Sequence, residues 1–319
     1  MPNATAPAAA MIVRPKLHWF RMLFVWRGSV LGMVAPRLLG ILAISVLALA
    51  GHLWFRDFGV RLNPAPFSLV GIALAIFLGF RNNVSYDRFW EGRRLWGQLV
   101  IAARALSRQA ITLPNLPPGD ARVRHFAALV IALSHSLKHQ LRDEPPQADL
   151  ERLLPADLAA RVGAARFVPV ALLTELARWV QERRREGALP DILAANMDTN
   201  LDRIAEIIAS CERIANTPIP YAYNVLLHRT VYCYSALLPF GLVDSIGLLT
   251  PLMAVFVAYT FMALEAIASE LEDPFGREPN DLALDALSRT IERTVLEIVG
   301  VPPAELPPAM VPDRDYRLT

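Results

Sequence analysis

Charge is scarce in this chain. Asp, Glu, Lys and Arg make up 19% of its 319 residues, hydrophobic types make up 54%, and mean hydropathy is +0.34. Soluble domains carry about a quarter of charged residues, so the deficit excludes an ordinary water-soluble enzyme and leaves a membrane protein. An excess of one sign is missing as well: 32 basic residues against 30 acidic ones leave +2, and nothing in that balance points to nucleic acid. Cysteine is nearly absent. Cys211 and Cys233 cannot build a disulfide framework or a CxxC metal site, and both are expected to be small buried residues. A Gly-rich phosphate loop, a GxSxG elbow and a Walker lysine are all missing, which leaves catalysis little to stand on. No strand-like alternation persists, and no repeat of fixed period is visible. The opening MPNATAPAAAMIVRPK lacks the apolar core behind positive charge that a signal peptide needs, so it is expected to be retained and mildly disordered.

Long apolar runs are what the chain does have. Leu38 to Phe55 holds no formal charge apart from a protonated His52 and, at about 1.5 Å per residue, spans about 27 Å as a helix. A second run, Phe67 to Phe80, follows the polar break Arg56 to Asn63 and continues as a helix beyond the membrane. Tyr221 to Val243, with Arg229 near one end, and Ser245 to Leu264 read as a second hairpin, with Asp244 at its outer turn. Arg14, Lys16, Arg21, Arg27 and Arg37 precede the first run, Arg81, Arg88, Arg93 and Arg94 follow the second, and only Arg56 and Arg61 lie between. Both chain ends are therefore expected on the cytoplasmic side. Arg14, Lys16, Arg21 and Arg27 alternate with Trp19, Phe20, Phe24 and Trp26, a basic aromatic segment suited to the membrane interface.

The fold class expected is all-α and polytopic, with four membrane helices continuous with a cytosolic helical region. Its parts are an interfacial segment over 1–37, a first hairpin over 38–83, cytosolic helices over 84–222, a second hairpin over 223–268, and a helix with a Pro-rich tail over 269–319, together one domain over 1–319. Val123, Phe126, Ala127, Val130, Leu133 and Leu137 keep helical spacing, and LPNLPPG, EPPQ and the Gly187 to Pro190 segment divide the cytosolic part into several helices. Further helices are predicted over Leu189 to Ile208 and Asp281 to Ile298.

Two stripes run along the second apolar helix. Ile72, Ile76 and Phe80 recur every fourth residue, and Gly71, Ala75 and Gly79 recur one residue earlier, about 100° round the helix. Small residues at this interval let membrane helices approach closely. The bulky stripe fits either a lipid-facing surface or the wall of a constriction; composition leaves both readings open.

The sequence GFRNNVSYDRFWEGRRLWGQL, with RPKLHWFRMLFVWRGSV before it and CERIANTPIPYAYNVLLHRTVY and ELEDPFG after it, resembles bacterial members of the bestrophin family in motif and in order over most of residues 12 to 300. The resemblance implies a homopentameric ion channel in the bacterial inner membrane, conducting small monovalent ions passively. It implies a hydrophobic neck at Ile72, Ile76 and Phe80 and a second, cytosolic aperture at Ile192, which the sequence alone would make an ordinary core isoleucine. Animal relatives conduct chloride and bacterial ones are associated with monovalent cations, so the sign of the ion stays open. The acidic run that clasps Ca²⁺ in animal members is absent: Arg277, Glu278, Pro279 and Asn280 follow Gly276, too few carboxylates for a cation wanting six to eight oxygens. No cofactor is expected. The expected partners are monovalent ions, the lipid bilayer and further copies of the chain.

Asp191, Asp198 and Asp202 share a helix face beside Ile192, where a ring of carboxylates would concentrate cations; a solvated face offset by Arg203 is the plain alternative. His135 and His139 have the spacing of helical metal ligands, without HExxH or a third ligand nearby, and otherwise read as a helix surface or subunit contact. Asp87 and Glu91 are expected to pair with Arg88, Arg94 or Arg229 at the membrane exit. A membrane-embedded metal enzyme using His135 and His139 is the alternative function; a secondary transporter is a third, without the inverted repeats it would need.

Overall fold

A computed structural model describes residues 11–12, 18–22, 25, 28–54, 63–117, 119–313 and 317–318. Residues 1–10 and most of the basic aromatic segment and of the polar break before Asn63 lie outside the described residues. Helix dominates: α1 Trp19–Met22, α2 Leu31–Trp54, α3 Pro64–Thr112, α4 Ala121–Leu141, α5 Gln147–Leu153, α6 Ala156–Gly163, α7 Val168–Arg185, α8 Asp191–Asn216, α9 Tyr221–Ile246, α10 Thr250–Glu272 and α11 Leu284–Ile298. The chain packs as two compact units, an apolar one over Arg14–Phe89 and Pro218–Asp273 and a more polar one made of the remainder.

In the apolar unit, local chemistry sets the helix ends. Ser29 Oγ accepts a hydrogen bond from the Leu31 N–H at 3.2 Å, which starts α2 seven residues before the expected Leu38; Pro36 lies inside α2 and leaves the Gly32 carbonyl without its i+4 N–H donor. Asn63 Oδ1 accepts from the Ala65 N–H at 2.9 Å, and Pro64 takes the first helical position of α3, a capping pattern that needs no other partner. Helix α9 runs past Asp244 and stops at Gly247, whose φ of +54° favours glycine. The turn therefore falls at Gly247–Leu249 and not at Asp244, and α10 begins at Thr250 rather than Ser245. Asp244 instead lies 3.3 Å from His52 at the end of α2. Val34 and Ile41 of α2, Leu74 and Leu78 of α3, Leu227, Val231 and Leu238 of α9, and Ala258 and Met262 of α10 form the core. Three helical stretches among the described residues are long and apolar enough for a bilayer: Leu31–Trp54, Pro64–Thr112, and Tyr221–Glu272, which takes in both α9 and α10.

The polar unit is held by a second core that includes Trp96, Phe126, Leu133, Leu137, Leu172 and Phe275. The α4 residues expected to share a face, Val123, Phe126, Ala127, Val130, Leu133 and Leu137, are all buried. The three expected breaks fall between helices. Two more, at Pro155 and Phe167, divide α5, α6 and α7; Pro155 precedes α6 and Pro169 lies in the first turn of α7, where a missing N–H costs nothing. Helix α8 is longer than expected, reaching Asn216. In the Pro-rich tail, Arg317–Leu318 pair antiparallel with Met11–Ile12. Cys211 is buried, and burial pushes its thiol up to about 12. Cys233, expected to be buried too, is exposed on α9.

Candidate pore-lining site and its supports

Helix α3 divides lengthwise into a held face and a free one. Leu74, Leu78, Arg81 and Ser85 are buried, one above another at helical spacing. Ile72, Ile76 and Phe80 stand on the opposite side and are 61%, 52% and 60% exposed. Among the described residues none buries them. The small stripe is divided in its role: a methyl group on Gly71 would come 2.7 Å from Tyr234 Oη, whereas one on Gly79 would meet nothing within 4 Å. Ala75 is exposed as well. Of the two glycines in the stripe, Gly71 is the one that a described side chain packs against.

Directly below Phe80, Arg81 is 4% exposed and faces Glu272 at 3.4 Å. Glu272 also accepts from the Ile219 N–H at 3.1 Å and from Asn224 Nδ2 at 3.2 Å, while its backbone carbonyl accepts from Arg88 Nε at 2.8 Å. One carboxylate at the end of α10 thus gathers α3 and the start of α9. Asn82 Nδ2 donates to the Leu78 and Leu264 carbonyls at 2.8 and 3.3 Å. The expected partners in this polar knot are corrected accordingly: Glu91 meets Arg213 at 2.7 Å, not Arg94 or Arg229, and Glu272 holds Arg81.

In the polar unit, Ile192 is 80% exposed at the start of α8, which overturns the plain reading of it as core. Asp191 is paired with Arg184 at 2.5 Å, a contact that holds its carboxyl below the ordinary value. Asp198 and Asp202 are exposed and have no basic partner among the described residues. The three carboxylates lie about 100° round α8 from Ile192, beside it and not in line with it. Behind them a chain of side-chain hydrogen bonds joins α3 to α8: Gln109 Nε2 donates to Asn196 at 2.6 Å, Asn200 Nδ2 to Gln109 at 2.9 Å, and Arg203 to Asn200 at 3.2 Å.

His135 and His139 are not at a helix surface. His135 is 3% exposed, with Nε2 3.0 Å from Glu292 and Nδ1 3.3 Å from Asp149. His139 Nε2 lies 3.0 Å from Asp149 and its Nδ1 3.4 Å from Glu144. Lys138 and Arg142 complete a basic row on α4, reaching Asp285 at 2.8 and 2.7 Å. Burial works against the charged form of His135, but the hydrogen bonds to Asp149 and Glu292 outweigh it and raise its pKa. The two histidines likewise hold Asp149 well below the carboxylate range. Burial pushes Glu292 up, yet His135 and Arg152 bring it down to about 2. Each imidazole is engaged with carboxylates, and no group of three or more potential ligands among the described residues could hold a metal ion. The repeat His135, Lys138, His139, Arg142 was a legible sign of this seam; of its acids, Glu144 and Asp149 follow closely, whereas Asp285 and Glu292 lie far along the chain.

An all-helical chain with long apolar helices, one of them bearing an uncovered Ile and Phe face that ends at a buried ion pair, belongs among integral membrane proteins. Residues 11–297 match the family described as Bacterial/Fungal Bestrophin protein. A voltage-dependent anion channel-forming protein of Ralstonia nicotianae is 54% identical over 92% of this chain and 95% of its own. Its namesake YneE of Escherichia coli K12 is 45% identical over 97% and 100%. The crystal structure of a bacterial bestrophin homolog from Klebsiella pneumoniae, 43% identical, superposes with a TM-score of 0.80 over 85% of this chain and 100% of the other. The chain belongs to the bestrophin family.

Proposed function

We propose that this protein is a passive channel for small monovalent ions, a single channel domain that assembles as a homopentamer in the bacterial inner membrane. Four helices per subunit cross the bilayer, namely α2, the first part of α3, α9 and α10, with both chain ends cytoplasmic. Rings of Ile72, Ile76 and Phe80 form a hydrophobic neck that controls ions by dewetting, and Ile192 forms a second aperture on the cytosolic side. The observation that carries this reading is the uncovered face of α3. A helix fastened to its own chain along Leu74, Leu78 and Arg81 has its bulky stripe free to face a central axis. The names of the curated relatives support a channel.

For the sign of the ion the reading is cations. Arg81 would oppose them just below the neck, but Glu272 neutralises it, and Asp198 and Asp202 supply unpaired negative charge near Ile192, which a ring multiplies. The relatives' names favour anions instead. Reversal potentials of the purified protein in planar bilayers under a salt gradient decide between them: a cation-like reversal that shifts toward zero when Asp198 and Asp202 become Asn is expected, and a chloride-like reversal in the wild type contradicts it. A metal-enzyme reading draws no support from His135 and His139, which are engaged with Asp149, Glu144 and Glu292.

A further inference from the structure

Tyr232 and Tyr234 lie on opposite sides of α9, since two residues turn a helix through about 200°. Tyr234 is the residue that Gly71 of α3 accommodates. The ring of Tyr232 instead lies under the guanidinium of Arg37 from α2, 5.6 Å away, so its side of the unit is turned away from the neck stripe. His228, one turn earlier, packs on the same ring with centroids 4.4 Å apart, and its Nδ1 is 2.6 Å from Glu265. Arg37, His228 and the neighbouring Arg229 are all exposed. Among the described residues neither arginine has a carboxylate partner, and the acid that meets the cluster is Glu265, through His228.

Depth is fixed by a hydrogen bond. The carbonyl of Leu264, adjacent to Glu265, accepts from Asn82 at 3.3 Å, and Asn82 stands where the apolar part of α3 gives way to polar residues. The cluster therefore sits at the level of the hydrocarbon boundary. Toward the other end of the helices the surface is apolar again: Leu47 of α2 is 71% exposed and Phe240 of α9 is 41% exposed. A guanidinium backed by an aromatic ring keeps its N–H edge free for a phosphate, and the apolar tracks beside it suit acyl chains.

We propose that the α2 and α9 surface at Arg37 and Tyr232 binds the phosphate of an anionic phospholipid of the cytoplasmic leaflet. Arg37 holds the phosphate, and His228 and Arg229 flank it. Free phosphate offers the same headgroup chemistry without the acyl chains, and the lipid is favoured because the positive cluster borders exposed apolar surface. The proposal rests on the bilayer placement of α2 and α9 and not on the identity of the conducted ion.

Native mass spectrometry of the full chain, equilibrated in detergent with equal phosphatidylglycerol and phosphatidylcholine, measures the ratio of the two lipids retained. Wild type is expected to keep phosphatidylglycerol in excess, and Arg37→Gln to lower the excess about fivefold, the usual worth of one arginine at a membrane surface. Arg37→Lys should keep much of it, and Arg124→Gln on α4 should leave it unchanged. Equal retention by the wild type, or an unchanged ratio in Arg37→Gln, overturns the proposal. Displacement of phosphatidylglycerol by inorganic phosphate would overturn the lipid as its occupant. Assembly is read in the same spectra; if Arg37→Gln fails to assemble, the wild-type excess must fall when equilibration is done at high salt, and a salt-independent excess contradicts an ionic site. Flux into liposomes is measured separately, so a channel that fails to conduct yet keeps its lipid preference damages only the channel reading.

Discussion

Arg81 and Glu272, 191 positions apart in sequence, meet in the apolar unit with Nη2 and Oε2 3.4 Å from each other, the arginine 4% and the glutamate 13% exposed. A buried guanidinium left without its countercharge is costly, whereas removing both charges together costs much less. Glu272→Gln should lower the stability of the detergent-solubilised protein by roughly 2–3 kcal/mol. Adding Arg81→Gln should restore part of that loss. Thermal unfolding of the two single variants and the double variant checks this; simple additivity would mean that the pair does not interact.

Gly71 and Gly79 should respond differently to a side chain. A methyl group at Gly71 meets Tyr234 Oη at 2.7 Å, so Gly71→Ala should destabilise the chain itself, and Tyr234→Phe, which removes that oxygen, should relieve it. Gly79 has open space, so Gly79→Leu should leave the subunit folded and disrupt only contacts between copies. Size exclusion with light scattering separates the outcomes. An intact ring carrying Gly79→Leu would show that this stripe makes no helix contact.

The buried seam of the polar unit predicts a pH optimum for stability. His135 is raised above its ordinary 6.5, so its contribution is complete below about pH 6.5 and is lost as pH climbs through the raised value. Glu292 is lowered from 4.5 to about 2, so its contribution is complete above about pH 4.5 and is lost as pH falls toward 2. Unfolding temperatures of the whole protein should peak between these limits. His135→Gln should flatten the alkaline limb, and Glu292→Gln should cost about 3 kcal/mol near neutral pH by leaving buried charge unpaired. An alkaline limb that survives His135→Gln would place its origin elsewhere.

What the sequence revealed tracks how local each cause is. The apolar helices and the breaks at LPNLPPG, EPPQ and Gly187 to Pro190 were legible because runs of apolar residues, Pro and Gly act within a turn or two. Asp244 misled because a charge at the end of an apolar run resembles a loop, while the feature that stops α9 is the positive φ of Gly247, invisible without the backbone. Glu272 was not legible as a partner of Arg81, Ile219 and Asn224, since those groups come from separate segments of chain. His135 and His139 looked like a polar helix face for a related reason: Glu292 lies 157 positions beyond His135. Exposure separates Ile72, Ile76, Phe80 and Ile192 from the core isoleucines, and exposure is a property of the folded chain.

Conductance of the neck variants tests the channel reading most directly. In planar bilayers, purified protein with Ile72, Ile76 and Phe80 all changed to Ala should show higher conductance or open probability than the wild type, because shorter side chains let water fill the constriction. The subunit should stay folded, since these residues are more than half exposed and lie outside its buried core. Identical conductance and open probability in a correctly assembled triple variant would mean that the stripe faces lipid and that the ion path lies elsewhere.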